Sequence, residues 1–68
     1  MSNYHDWQQR VVEEQKELKE KIDKLTDFIT SRKSGTLPFF DKKLLLTQRW
    51  FMVQYNITLL ERIARFEP

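Results

Sequence analysis

Apolar residues recur at helical spacing along the first half of the chain. The stripe consists of Tyr4, Val11, Leu18 and Leu25, one every seven residues, widened by Trp7, Ile22, Phe28 and Ile29. This period predicts an amphipathic helix over about residues 4–31, with charged pairs such as Glu17–Lys21 on its other face. Glu14 interrupts the stripe, so we expect this carboxylate to lie at its edge or to pair with a cation from another helix.

The second half of the chain carries too many apolar residues for one stripe. One row contains Leu45, Met52, Leu59 and Phe66, and the others contain Leu44 and Phe51, then Leu46, Val53 and Leu60, then Trp50, Tyr55, Ile57 and Ile63. This pattern predicts a second helix over about residues 38–66. A helix that is apolar nearly all round is normally buried, and one neighbouring helix cannot cover it.

A short loop over about residues 32–37 separates the two predicted helices. Gly35 can stop the first helix, and Pro38 suits the first turn of the second. Because short connections join antiparallel neighbours, the sequence predicts an all-α hairpin. We expect Phe39 and Phe40, with Leu37, to fold back over the end of this hairpin.

Length and composition favour association between copies. A chain of 68 residues is a single domain whose core supplies only ~3–5 kcal/mol, and the absence of cysteine excludes disulfides and thiolate metal sites. His5, the one histidine, cannot form a metal site alone. We therefore predict a homo-oligomeric helical bundle, a dimer or larger. With no signal peptide or membrane-length apolar run, we expect a soluble cytoplasmic protein with no membrane partner.

Charge and motifs indicate a binding protein rather than an enzyme. The net charge is +2, and the whole excess lies in residues 35–68, far below that of a duplex-DNA binder. The sequence has no glycine-rich phosphate loop, HExxH motif or nucleophile–base arrangement. Glu13, Glu14 and Glu17 have no histidine at bundle-metal spacing, which favours a solvated face. We predict no catalytic residue, no metal and no cofactor.

A set of aromatic and guanidinium groups is the candidate ligand site. Its members are Tyr4, Trp7, Arg10, Arg49, Tyr55, Arg62 and Arg65. Arginine binds phosphate through a planar fork, and aromatic faces stack on bases. An antiparallel hairpin brings all of them except Arg49 and Tyr55 to one end, while Arg49 is a candidate partner for Glu14. Alternatively, the aromatic rings serve the core or an interface, and Arg62 and Arg65 serve the helix C-terminus.

Three patterns covering most of residues 7–63 support a family resemblance. They are Gln9-Arg10-Val11-Val12-Glu13-Glu14, Glu17-Leu18-x-x-Lys21-Ile22-x-Lys24-Leu25-x-x-Phe28-Ile29 and Leu44-Leu45-x-x-Gln48-x-x-x-Met52-x-x-Tyr55-x-x-x-Leu59-x-x-Arg62-Ile63. Together they resemble small helical-hairpin accessory proteins of tailed phages and prophages, crAss-like phages among them. Such proteins are similar in build to anti-CBASS and anti-Thoeris sponges, symmetric helical oligomers that sequester nucleotide second messengers of bacterial immunity.

The resemblance implies a phage-encoded counter-defence protein acting in the cytoplasm of an infected bacterial host. It would bind a cyclic oligonucleotide or an ADP-ribose derivative without cleaving it. Arg10, Arg62 and Arg65 would hold phosphates, and Tyr4, Trp7 or Tyr55 would stack on a base. Two alternatives stay open at this point: an oligomeric protein–protein interaction module that inhibits or scaffolds a host or phage protein, and a structural phage component.

Overall fold

The computed structural model describes residues 4–66 and contains two long antiparallel helices. Helix α1 spans Asp6–Thr30, a short 3₁₀ helix spans Arg32–Thr36, and helix α2 spans Phe39–Ala64. The hairpin measures 48 × 19 × 14 Å, and no strand occurs within the described range. The prediction of an all-α hairpin is confirmed. In that range neither helix is long and apolar enough to cross a membrane.

Local hydrogen bonds determine where α1 begins. The backbone N–H of His5 donates to Gln8 Oε1 at 2.8 Å, which satisfies one donor at the start of the helix. Asp6 occupies the first turn, where a carboxylate interacts favourably with the positive helix end. The helix therefore begins at Asp6, two residues after the predicted start at Tyr4.

Serine side chains, rather than a glycine, mark the end of α1. Ser31 Oγ donates to the carbonyl of Phe28 at 2.7 Å, and the buried Ser34 donates to that of Ile29 at 2.7 Å. These bonds satisfy carbonyl groups left open by the last helical turn. The prediction that Gly35 stops the helix is wrong, because Gly35 lies inside the 3₁₀ helix and no described residue has a positive φ.

The surface where α1 packs on α2, here called the seam, follows steps of three and four residues on both helices. Its members, all buried or half-buried, are Gln8, Val11, Gln15, Leu18, Ile22, Leu25 and Ile29 on α1, and Leu45, Arg49, Met52, Asn56, Leu59, Ile63 and Phe66 on α2. This spacing is typical of coiled-coil packing. Among the described residues Leu59 is the one large side chain with no exposed surface, so the hairpin core is small.

Two polar contacts cross the seam. Gln15 Nε2 donates to Asn56 Oδ1 at 3.1 Å, and Arg49 Nε donates to Thr26 Oγ1 at 2.7 Å. Of the two expectations for Glu14, the position at the edge of the stripe is confirmed, and the pairing with Arg49 is wrong because Arg49 donates to Thr26. The seam advances by four residues from Val11 and reaches position 15, so Glu14 is exposed beside it.

The two phenylalanines at the start of α2 do not cover the end of the hairpin. Phe39 is 74% exposed and Phe40 is 73% exposed, and their rings meet each other edge to face with centroids 5.6 Å apart. The prediction that they fold back is therefore wrong. Both residues belong to the first turn of α2, ahead of Leu45, the first member of the seam on this helix.

A second row of apolar residues runs along α2 outside the seam. This row, here called the outer stripe, consists of Leu46, Trp50, Val53, Ile57, Leu60 and Ala64. It repeats the seam's alternation of four-residue and three-residue steps and contains no charged or polar member. Its largest side chain, Trp50, is 58% exposed, whereas Val53 is half-buried against the hairpin core, so α1 covers this row only in part.

Candidate functional site

Three aromatic rings meet where the two ends of the hairpin lie together, here called the open end. The Phe66 ring contacts Tyr4 edge to face with centroids 5.8 Å apart, and it contacts Trp7 in the same way at 5.2 Å. Phe66 is half-buried, whereas Trp7 remains 53% exposed. The contacts fix the indole at this end and leave part of its surface available to a ligand.

Three arginines belong to the same end. Arg62 lies one turn before Phe66 and Arg65 directly precedes it, while Arg10 lies one turn after Trp7. All three side chains are exposed, and none has a carboxylate within 4.0 Å in the described part of the chain, where the ion pair found is Lys19–Asp23 at 3.1 Å. These guanidinium groups therefore make the open end rich in exposed positive charge.

The remaining two predicted site residues lie elsewhere. The Tyr55 hydroxyl donates a hydrogen bond to the Glu14 carboxylate, and Tyr55 precedes Arg62 by two turns. Half-buried Arg49 lies about 20 Å along the helix from Arg62 and is engaged with Thr26. The structure thus brings five of the seven candidates to the open end and separates Arg49 and Tyr55 from them.

The opposite end of the hairpin, here called the loop end, has a feature that the sequence reasoning missed. A groove of about 430 Å³ is lined by Phe39, Lys42, Lys43 and Leu46. Neither lysine has a carboxylate within 4.0 Å in the range that the structure describes. The sequence does contain a signal for this groove, namely Phe39-Phe40 followed closely by Lys42-Lys43. This pattern places aromatic rings and cations within one turn of a helix.

A family model described as Sequestin matches residues 5–65, which include both helices and their connection. The chain belongs to the Sequestin family. No curated protein matches it, and no solved structure does. The family name suggests sequestration of a ligand, which fits a small sponge-like anti-defence protein.

The chemistry available to this Sequestin-family chain at the open end is that of a binding site. Guanidinium groups bind phosphate with geometry that a lysine cannot reproduce, and an exposed indole face accepts a base or another planar group. Within residues 4–66, no cluster of histidine, aspartate and glutamate has the arrangement needed to hold a metal ion. The open end therefore offers contacts to an anionic aromatic ligand.

Proposed function

We propose that this Sequestin-family chain is a phage-encoded counter-defence protein that binds a nucleotide immune signal and sequesters it without cleavage. The ligand is a cyclic oligonucleotide or an ADP-ribose derivative, and binding occurs in the cytoplasm of the infected bacterial host. The observation that carries the proposal is the open end, where an exposed Trp7 shares one end of the hairpin with arginines that form no ion pair among the described residues. The family assignment supports the sequestering role.

In the proposed complex the two kinds of side chain have separate roles. Arg10, Arg62 and Arg65 bind phosphate oxygens, because a guanidinium group forms strong charge-assisted hydrogen bonds to phosphate and none of the three has an ion pair within residues 4–66. Trp7 and Tyr4, braced by Phe66, provide the surface on which a base stacks. Neither role needs a nucleophile or a general base, which is consistent with capture of an intact ligand.

Self-association is part of the proposed mechanism. The large exposed side chains of α2 favour association of copies, and a symmetric assembly presents one open end for every copy. One small oligomer would then bind several molecules of the signal. The same apolar surface also supports a second candidate function, namely an interaction module that inhibits or scaffolds a host or phage protein.

The test is a panel of thermal melts with cyclic dinucleotides, cyclic trinucleotides and ADP-ribose derivatives. A ligand that binds only the folded protein raises the melting temperature by mass action, so a signal at 100 times its dissociation constant adds ~2.7 kcal/mol. Heat denaturation followed by chromatography should return the ligand chemically unchanged. Recovery of a hydrolysed product would contradict sequestration without cleavage.

Charge-reversal variants locate the site. Arg62→Glu should abolish the ligand-induced shift and leave the oligomer mass unchanged, because Arg62 lies outside the seam and the outer stripe. Lys24→Glu is the matched control, since it makes the same charge change at an exposed position on α1. If no ligand in the panel binds and a defined host protein co-purifies at fixed stoichiometry through α2, the interaction module is the better assignment.

A further inference from the structure

One uncovered side of α2 is mainly apolar. The large apolar side chains on this side, which is the side of the outer stripe, are 43–74% exposed, and they are Phe39, Leu46, Trp50, Ile57 and Leu60. At about 150 Å² for a large side chain, they leave roughly 400 Å² of apolar surface open. Each partner gives ~800 Å² to a standard interface, of which a little over half is apolar, so this area is close to what such an interface needs. The surface is therefore large enough for a protein partner.

The outer stripe is complementary to itself when two copies of α2 run antiparallel. Its six members extend ~27 Å along the helix, and in one register the sizes of opposed side chains match. That register places Leu46 against the second copy's Ala64, Trp50 against its Leu60 and Val53 against its Ile57. Each layer then combines a larger side chain with a smaller one, as a well-packed core requires.

A parallel arrangement of the same stripe packs poorly. It places Trp50 against Trp50 of the second copy in one layer, and Ala64 against Ala64 in another. The first layer is overfilled and the second leaves a void, and both faults cost stability. An antiparallel register shifted by one heptad instead places Lys43 against the second copy's Leu60 and buries a cation against an apolar side chain.

We propose that two copies pair through their outer stripes in this antiparallel register, and that each loop-end groove then becomes half of a shared anion site. The register brings Arg65 of the second copy within one helical turn, along the axis, of Lys43 in the groove. Two such sites form, one at each end of the paired helices. The pairing does not require a nucleotide ligand, whereas the assignment of the natural anion as a nucleotide rests on the proposed function.

The charges at each shared site favour an anion. Lys43 and Arg65 are both exposed and lack a carboxylate within 4.0 Å among the described residues, so their approach across the interface is repulsive. A phosphate between them removes that repulsion and links binding to pairing. Phe39, which is 74% exposed, supplies an aromatic surface in the same groove.

Cysteine cross-linking tests the register without any ligand, because the natural chain has no cysteine. An oxidised mixture of Leu46→Cys and Ala64→Cys chains should give a disulfide between the two variants. Ala64→Cys alone should give none, since its two copies lie ~27 Å apart along the axis. A homodisulfide at position 64 would overturn the antiparallel pairing, and preferential linkage of Leu46→Cys to Ile57→Cys would overturn the register.

Inorganic pyrophosphate tests the shared anion site. It should tighten the dimer of the natural chain, as measured by sedimentation. Lys43→Glu should tighten the dimer by about 3-fold to 10-fold without any anion, because it converts a repulsion into an ion pair at both ends, and it should abolish the pyrophosphate effect. Lys24→Glu should change neither property. An undiminished pyrophosphate effect in Lys43→Glu would overturn the shared site, whereas the proposed function fails separately if no nucleotide binds.

Discussion

The seam and the outer stripe lie on the same helix and follow the same spacing, yet they differ in composition. On α2 the seam contains Arg49 and Asn56, whereas the outer stripe is apolar at every position. Both of these polar residues have a hydrogen-bond partner on α1. The exposed row is therefore the more hydrophobic of the two, which is the reverse of the arrangement expected for a stable monomer.

This difference suggests separate roles for the two rows, since one aligns α1 with α2 and the other favours association of copies. The polar contacts lie at fixed positions along the helices and allow one alignment of α1 against α2. Any slip along the helix axis would leave half-buried polar groups without partners. The outer stripe has no such restriction and contributes mainly hydrophobic energy when a second surface covers it. We infer that the seam determines the shape of each hairpin and that the outer stripe brings copies together.

The largest expected effect on the free energy of unfolding comes from truncating a seam leucine, in comparison with the adjacent leucine of the outer stripe. Leu59→Ala empties the most buried position of the seam and should lower the free energy of unfolding by ~2–5 kcal/mol. Leu60→Ala, at a position 46% exposed, should have a much smaller effect on the unfolding of each hairpin. Urea titrations at a protein concentration low enough for each hairpin to be monomeric measure both, since association would add to the apparent stability. Equal losses would contradict the distinction between the faces.

A charge in the outer stripe should separate the copies while each hairpin stays folded. Ile57→Glu places two glutamates at the centre of the proposed interface, so we expect the dimer dissociation constant to rise by about 100-fold or more. Sedimentation velocity measures the mass, and circular dichroism checks that helicity is kept. The control is Thr58→Glu, one residue away at an exposed position outside the stripe. Loss of association in the control would count against the stripe.

The polar contact of the seam should show strong coupling. Gln15→Leu or Asn56→Leu alone leaves one amide in the seam without its partner and should cost ~1–3 kcal/mol. The double variant should recover most of that loss, because the two leucines pack against each other. A double-mutant cycle of unfolding free energies measures the coupling. Additive losses would mean that the amides do not act as a pair.

The smallest expected effect concerns the hydrogen bond beside the seam. Tyr55→Phe removes the hydroxyl that donates to Glu14, at a residue that is 45% exposed. Water can replace such a bond, so the free energy of unfolding should fall by less than about 1 kcal/mol. Ligand affinity should stay unchanged if nucleotide binding belongs to the open end. A large loss of affinity would move the base-stacking position to Tyr55.

The helical period was sufficient to predict the hairpin, but not the composition of the seam. The row through Val11 and Leu18 is apolar and therefore visible in the sequence. Its companion row includes Gln8 and Gln15, which hydropathy does not mark as buried. The position of Arg49 in the seam of α2 was not predicted for the same reason. A polar residue can be assigned to a seam only when its hydrogen-bond partner on the other helix is known.

The candidate site was predictable to the extent that topology determines it. Antiparallel helices bring Trp7 and Arg62 to one end whatever the detailed packing. For the loop-end groove the sequence placed aromatic rings and lysines close together, but it did not predict that Phe39 would be exposed, because the hydrophobicity of this residue suggested burial. An aromatic residue can remain exposed in a single chain when a second molecule covers it. The sequence of a single chain does not identify that second molecule.

The association of copies through α2 is tested most directly by sedimentation equilibrium of the unmodified chain at micromolar concentration. The chain mass is 8.4 kDa, and we predict a dimer or a larger even assembly of that unit. A folded, helical species that remains at 8.4 kDa as the concentration rises would contradict this prediction.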